Sequence, residues 1–189
     1  MRELADHIQD IMQNSVEAGA TEVTLEITED RQRDVFIIRI SDNGRGMDEA
    51  VLKHVTDPFV TSRRTRRVGL GLSLLEMTAK RSGGGVRIES APGRGTVVEA
   101  SYVHSHWDRP PLGNIAATIK GFIVVNPEIT LNYVHSVDGK VFSFTSREIA
   151  AALGEEIPLT HPDVLSWLDS FLTGGISDLY GGARENEDR

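Results

Sequence analysis

The chain has no cysteine, so disulfides and thiolate metal sites are excluded. It has no apolar run approaching the ~20 residues that a membrane span needs. Its opening residues, MRELADHIQD, are amphipathic and acidic, unlike a signal peptide. Positive charge is also short. The net charge of -8 argues against a nucleic-acid face covering the whole surface, so nucleic acid is not expected as a partner. What remains is an ordinary acidic chain of 189 residues with a 39% hydrophobic fraction. The expectation is a cytoplasmic protein of one domain, or one domain plus a small appendage.

Hydrophobic spacing gives the order of elements. Leu4, Ile8, Ile11 and Met12 recur at helical spacing, which predicts a helix from Met1 to about Ser15 that Gly19 ends. Strands are expected over 23–27 and 35–40, joined by the polar TEDRQRD turn. Asp42-Asn43-Gly44 breaks the second strand, and a short helix is expected over 48–55. The stretch 57–68, with one Pro, four Arg and two Thr, reads as a loop. Gly69 opens a further helix that runs to about Arg81 and stops at 83–85. Strands over 86–90 and 96–103 follow, around Ala91-Pro92-Gly93.

After these, residues 104–114 (HSHWDRPPLGN) read as a linker. Residues 115–175 read as a small α+β region. It comprises a helix over 115–125 and two strands around the strong Asp138-Gly139 turn signal. A helix with the capping box Thr145-Ser-Arg-Glu148 follows, closed by Gly154. A last helix starts at Thr160-His-Pro-Asp163 and ends before Gly174, and 176–189 reads as a polar tail. No internal repeat is visible.

Four short stretches carry chemistry: DIMQNSVEAGAT from Asp10, SDNGRGM from Ser41, VGLGLSLL from Val68 and PGRGTVV from Pro92. Each alone has a plain reading: a solvated helix face, an Asp-Gly turn, a helix with a flexible lead-in, a strand-entry threonine. Their fixed order suggests one nucleotide pocket. Asp42, ending a buried strand, can accept from an exocyclic amine, which adenine has at its 6-position and guanine lacks. Gly44 and Gly46 let the backbone approach a purine, and Met47 can cover its face. Gly69, Leu70, Gly71 and Leu72 open a helix whose free amides suit an anion. No Lys-Ser/Thr follows these glycines, so this is not a P-loop. No βαβ unit frames them, so this is not a dinucleotide fold. Asp10 and Asn14 lie one turn apart on a shared helix face. Asn14 offers a neutral oxygen to Mg²⁺, and Asp10 can take a proton from an attacking water or hydroxyl. The Thr96 hydroxyl could reach the base or a water beside Asp42.

Together these stretches resemble the N, G1, G2 and G3 boxes of the GHKL ATP-binding superfamily of gyrase, heat-shock chaperone, histidine kinase and MutL. The resemblance covers residues 1–103. It implies a Bergerat fold, a two-layer α/β sandwich with helices on one face of a mixed sheet. ATP and Mg²⁺ would lie between the layers under a lid over 59–68. It implies Asn14 as magnesium ligand, Asp42 as adenine anchor, Gly44 and Gly46 in the base pocket, Gly69 and Gly71 under the phosphates, and Thr96 near the base. Arg63, with Arg64, Arg66 and Arg67, is a candidate for phosphate contact. The stretch from Arg67 to Val98 looks like a histidine kinase, while QNSVEAGAT looks more like MutL, where an acidic residue at the position of Asp10 is the general base. No helical dimerisation domain with a phosphoacceptor histidine is recognisable; His7, within the first helix, reads as structural. His104, His106 and Asp108 are read as a linker coincidence in preference to a metal site. Three functions stay open: a slow ATPase with Asp10 as base, a kinase acting in trans as anti-sigma-factor kinases do, and a non-catalytic nucleotide-gated interaction module. A protein partner of unknown identity is expected, and a homodimer is left open.

Overall fold

A computed structural model of the chain describes residues 3–56, 70–154 and 157–181. The lid segment, Arg63, Arg64, Arg66, Arg67 and Gly69 lie outside the described residues, as does most of the polar tail.

The first helix, α1 (Leu4–Glu17), turns Leu4, Ile8, Ile11 and Met12 into the core, each 4% exposed or less. Asp6 accepts from the Glu3 amide at its start. At its end Gly19 takes φ +75°, the Gly19 amide reaches the Val16 carbonyl and the Ala20 amide reaches that of Ser15. This is a Schellman closure, which needs a left-handed residue where the sequence supplies glycine.

The antiparallel pair β1 (Glu22–Asp30) and β2 (Val35–Asp42) follows, then the single turn α2 (Glu49–Leu52), with Asp48 capping it. Next come α3 (Leu70–Arg81), β3 (Gly85–Ser90) and β4 (Thr96–Val103). The chain continues through α4 (Ile115–Val125), β5 (Thr130–Val137), β6 (Lys140–Thr145), α5 (Ser146–Leu153) and α6 (Pro162–Leu179). Asp138 and Gly139 both have positive φ, giving the two-residue hairpin turn that the Asp-Gly signal requires.

The strands form one mixed sheet in the order β3-β4-β2-β1-β5-β6, with β1 and β5 parallel and all other pairs antiparallel. The parallel pairing of β5 with β1 carries this sheet from the first half of the chain into residues 130–145. Register decides which side is buried. Leu25 stands opposite Ile40 and Tyr133, and Ile38 opposite Ile27 and Ala100, all on the face that the helices cover. Side chains of this size contribute about 1.5–3 kcal/mol each when fully buried. The next residue along each strand points the other way. There Arg39 bridges Glu26 at 3.4 Å and Glu99 at 3.3 Å, a half-exposed polar face of the kind antiparallel sheets leave to water. The fold is thus a mixed α/β sheet with helices packed against it.

One expectation about the last helix is corrected. It does not stop before Gly174 but runs on through Gly175 to Leu179, so residues 176–179 are helical. The glycines do not end it because the packing uses one of them. A Cβ on Gly175 would stand 2.3 Å from the Phe142 ring, so the helix comes in close over β6, and buried Leu179 resumes the apolar stripe.

At the end of the sheet away from Asp42 lies a buried polar network. Glu29, 5% exposed, accepts from His104 at 3.0 Å, from His135 at 3.2 Å and from the Tyr180 hydroxyl. His135 in turn pairs with Tyr133 at 3.0 Å. Burial alone would push the Glu29 carboxyl up, but the hydrogen bonds from His135, Tyr180 and His104 outweigh it and hold the pKa at about 2. The network ties β1, β5, the segment after β4 and the end of α6 together.

Candidate nucleotide site

The site is assembled where α1 crosses the end of the sheet that carries Asp42. Ser15, on the buried stripe of α1, donates to Asp42 Oδ2 at 2.9 Å, and the Gly44 amide donates to Asp42 Oδ1 at 2.9 Å. One oxygen is therefore held by the helix and the other by the turn after β2. Among the described residues these two bonds occupy two of the carboxylate's roughly four lone-pair positions.

The turn is held by backbone contacts that admit no side chain. Gly46 has φ +66°, and a Cβ there would stand 2.0 Å from the Ala91 carbonyl oxygen. Gly95 has φ +74°, and a Cβ there would stand 1.8 Å from the Asp42 carbonyl oxygen. The Gly93 amide reaches the Arg45 carbonyl at 2.7 Å, and the Arg45 amide reaches that of Ala18 at 3.0 Å. The second and fourth stretches are thus laid backbone against backbone, with the end of α1 beside them.

Asp42, Thr96 and Ser90 are successive cross-strand partners on β2, β4 and β3. Ser90 Oγ accepts from the Met47 amide at 2.8 Å, and lies 3.0 Å from Thr96 Oγ1. Thr96 and Met47 are both half-buried at this edge, beside Asp42, Gly44 and Gly46. The first two strands are fixed to the same turn by Asn43, whose Oδ1 accepts from the Thr21 and Glu22 amides.

Asp10 and Asn14 are half-buried on α1, one turn apart. At ~1.5 Å rise per residue, Asp10 lies about 7–8 Å along the helix axis from Ser15 and the base end. Its carboxylate touches the first turn of α3, where a Cβ on Gly71 would stand 1.6 Å from Asp10 Oδ2. The first and third stretches therefore meet at a helix N-terminus, where an anion is favoured. Leu70 begins α3, and Leu72 packs on the hydrophobic core. His104 pairs with Glu29, and His106 accepts from the Asp108 amide while Asp108 pairs with Arg81.

Three residues that position the site were not singled out by the motifs: Ser15, Asn43 and Ser90. Ser15 had a signal, as a polar residue standing on the apolar stripe of Ile8 and Ile11. Asn43 had the local turn chemistry of asparagine. Ser90 had none, because its role depends on a strand pairing that spacing does not reveal.

Residues 2–105 match the family model described as histidine kinase-, DNA gyrase B- and HSP90-like ATPase. The chain belongs to this ATPase family. Among curated relatives, the tetrathionate sensor histidine kinase TtrS of Salmonella typhimurium is 33% identical over 106 residues, 54% of this chain and 17% of that protein. Sporulation kinase D of Bacillus subtilis is 34% identical over 97 residues, 49% of this chain and 19% of that protein. The chain therefore spans less than a fifth of the length of these curated relatives. Among solved structures, the N-terminal domain of a DNA repair protein superposes with a TM-score of 0.55 at 16% identity, covering 97% of this chain and 58% of that one. At that identity the likeness concerns the fold, which this GHKL chain shares beyond residue 105. The chain carries an ATP-binding module of the GHKL type. No helix among the described residues is long and apolar enough to cross a membrane.

Proposed function

We propose that this GHKL module binds Mg-ATP with its base against Asp42 and its phosphates toward the start of α3, and hydrolyses it slowly to drive a change in a protein partner. The observation that carries this reading is the doubly held Asp42 carboxylate, fixed by Ser15 and the Gly44 amide at a closed glycine turn. A half-buried acceptor fixed in this way selects an exocyclic amine. The residues suit the ligand: a carboxylate at one end, a half-buried asparagine between, and a helix start at the other.

In this reading Asn14 supplies a neutral side-chain oxygen to Mg²⁺. The metal, when bound, offsets phosphate charge. Asp10 orients a water and accepts its proton, which an ionised carboxylate can do as an acceptor-only group. The contact with Gly71 holds that carboxylate beside the α3 amides. Phosphate donation to a partner is the second reading, favoured by the 33% and 34% identity to sensor and sporulation kinases.

Calorimetric titration of the chain and of Asp42→Asn with ATP and GTP tests the proposal. ATP is expected to bind the wild type well above GTP. Losing the charge-assisted bond in Asp42→Asn is expected to cost about 1.5–3 kcal/mol of ATP binding. Equal affinity of the wild type for the two nucleotides would sink it. Incubation with γ-labelled ATP and candidate partners then separates hydrolysis from transfer, and binding without either outcome favours a nucleotide-gated module.

A further inference from the structure

Ser90 Oγ has three polar neighbours and one proton. It receives the Met47 amide at 2.8 Å, stands 2.8 Å from the Gly95 carbonyl oxygen, and 3.0 Å from Thr96 Oγ1. Two oxygens at that separation need a proton between them, and the carbonyl has none to give. The Ser90 proton therefore goes to Gly95, and Thr96 must donate its own proton to Ser90. What Thr96 has left is lone pairs. The same count holds at Ser15, whose single proton lies between Asp42 Oδ2 at 2.9 Å and the Ile11 carbonyl at 3.4 Å. It goes to the closer, charged acceptor.

We infer that Ser15 and Ser90 set the hydrogen-bond polarity of the base end, so that Asp42 and Thr96 face a ligand as acceptors only and a 6-amino purine is admitted while a 6-keto purine is rejected. This rests on the reading of the cleft as a purine-nucleotide site. The two serines are positioning residues behind the residues that face the ligand. Selection here is partly repulsive. With the 6-position of the base held against Asp42 and Thr96, a keto oxygen would be brought against lone pairs with no donor to meet it, and an unsatisfied buried acceptor is costly. The N1–H of a keto purine reaches those lone pairs only by shifting the base out of this pose. Asp42 alone could accept from an amine. The hydroxyl of an uncommitted threonine could rotate to donate to a keto group and blunt the discrimination. Ser90 removes that freedom.

The test is calorimetric titration of the full chain with ATP and inosine triphosphate. The wild type is expected to bind ATP about 10-fold tighter or more. Ser90→Ala frees the Thr96 proton, so inosine triphosphate should bind about 3-fold tighter or better, with ATP unchanged or weaker. In Ser90→Ala/Thr96→Val that gain should vanish. A merely structural role would weaken both nucleotides alike and leave their ratio unchanged. If ATP still binds Ser90→Ala and the ratio matches wild type, or if the gain survives Thr96→Val, the proposal is overturned while the purine reading stands. If the wild type binds neither nucleotide, both fall. Should Ser90→Ala fail to fold, Thr96→Val alone decides: it should weaken ATP and spare inosine triphosphate, and equal weakening overturns the proposal.

Discussion

Asp10 and Gly71 are in contact so close that no other residue fits at position 71 without moving the carboxylate: a Cβ there would stand 1.6 Å from Oδ2 and 2.7 Å from the carboxyl carbon of Asp10. The glycine is therefore more than a flexible lead-in to α3. It leaves room for the acid that we propose as the general base.

That contact separates catalysis from stability. Alanine is a better helix residue than glycine by about 1 kcal/mol. The collision in Gly71→Ala is with the end of a rotatable side chain, which can swing aside. Gly71→Ala is therefore expected to keep its melting temperature within a few degrees while displacing Asp10. Its turnover of ATP should fall about 100-fold, as in Asp10→Asn, which keeps shape but removes basicity. ATP affinity of Asp10→Asn should stay near normal. Calorimetric melting and phosphate release over hours measure both. Wild-type turnover in either variant would show that the seated carboxylate takes no part.

Asn14 is the residue next to Ser15 on α1, so its substitution must be read apart from the base end. In the proposed arrangement it reaches the bound nucleotide only through the metal. Asn14→Ala is expected to weaken Mg-ATP about 10-fold or more, as for the loss of a bond to a charged group. Metal-free ADP, held by Asp42 and the glycine turns, should change by less than about 2-fold. Titrations with and without magnesium give the two numbers. Equal weakening would make Asn14 a structural residue and remove it as a ligand.

Periodicity and turn chemistry carry far into this fold. Leu4, Ile8, Ile11 and Met12 announce the buried face of α1, Gly19 its end, and Asp138-Gly139 a hairpin, because each rests on local geometry. The motif order, through the family resemblance and not through local geometry, leads to the expectation that Asp42, Thr96 and Gly71 share one site; the structure pairs Asp42 with Thr96 and sets Gly71 against Asp10. Pairing between distant strands is not local. That β5 lies parallel to β1 is invisible in either strand's own pattern. So is the row Asp42, Thr96, Ser90, and with it the role of Ser90. Gly174 and Gly175 mislead as helix stops because a helix tolerates glycine when tertiary packing uses it, here the Phe142 ring against Gly175. Glu29 falls in the polar TEDRQRD stretch that reads as a turn, whereas β1 runs on through it to Asp30. Only the assembled fold brings His104, His135 and Tyr180 to Glu29.

Glu29 gives the acid stability of the chain a sign and a window. Its carboxyl is held at about 2 against an ordinary 4.5. The folded state thus keeps Glu29 ionised at pH values where the unfolded chain protonates it. A depressed carboxyl contributes stability that is fully present above the unfolded pKa and is lost as pH falls through the folded one. The window runs from 4.5 down to about 2. At about 1.4 kcal/mol per unit, the shift corresponds to about 3 kcal/mol. Glu29→Gln keeps an acceptor oxygen for His135 and Tyr180, turns an amide NH2 toward the His104 ring nitrogen, and has no charge to lose. At pH 7 it is expected to be less stable than wild type by about 2–3 kcal/mol. The gap should close progressively between pH 4.5 and about 2, as the wild type loses what the variant never had. Urea unfolding of both proteins across that range measures the difference, and other carboxylates cancel in it. Glu29 stands opposite Phe36 while Asp42 stands opposite Val23, at the far end of the same strand pair. ATP affinity of the folded variant at pH 7 should therefore match wild type. A stability gap that stays constant from pH 7 to about pH 2 would mean that the network stabilises by shape and hydrogen bonding alone, with no contribution from the Glu29 charge.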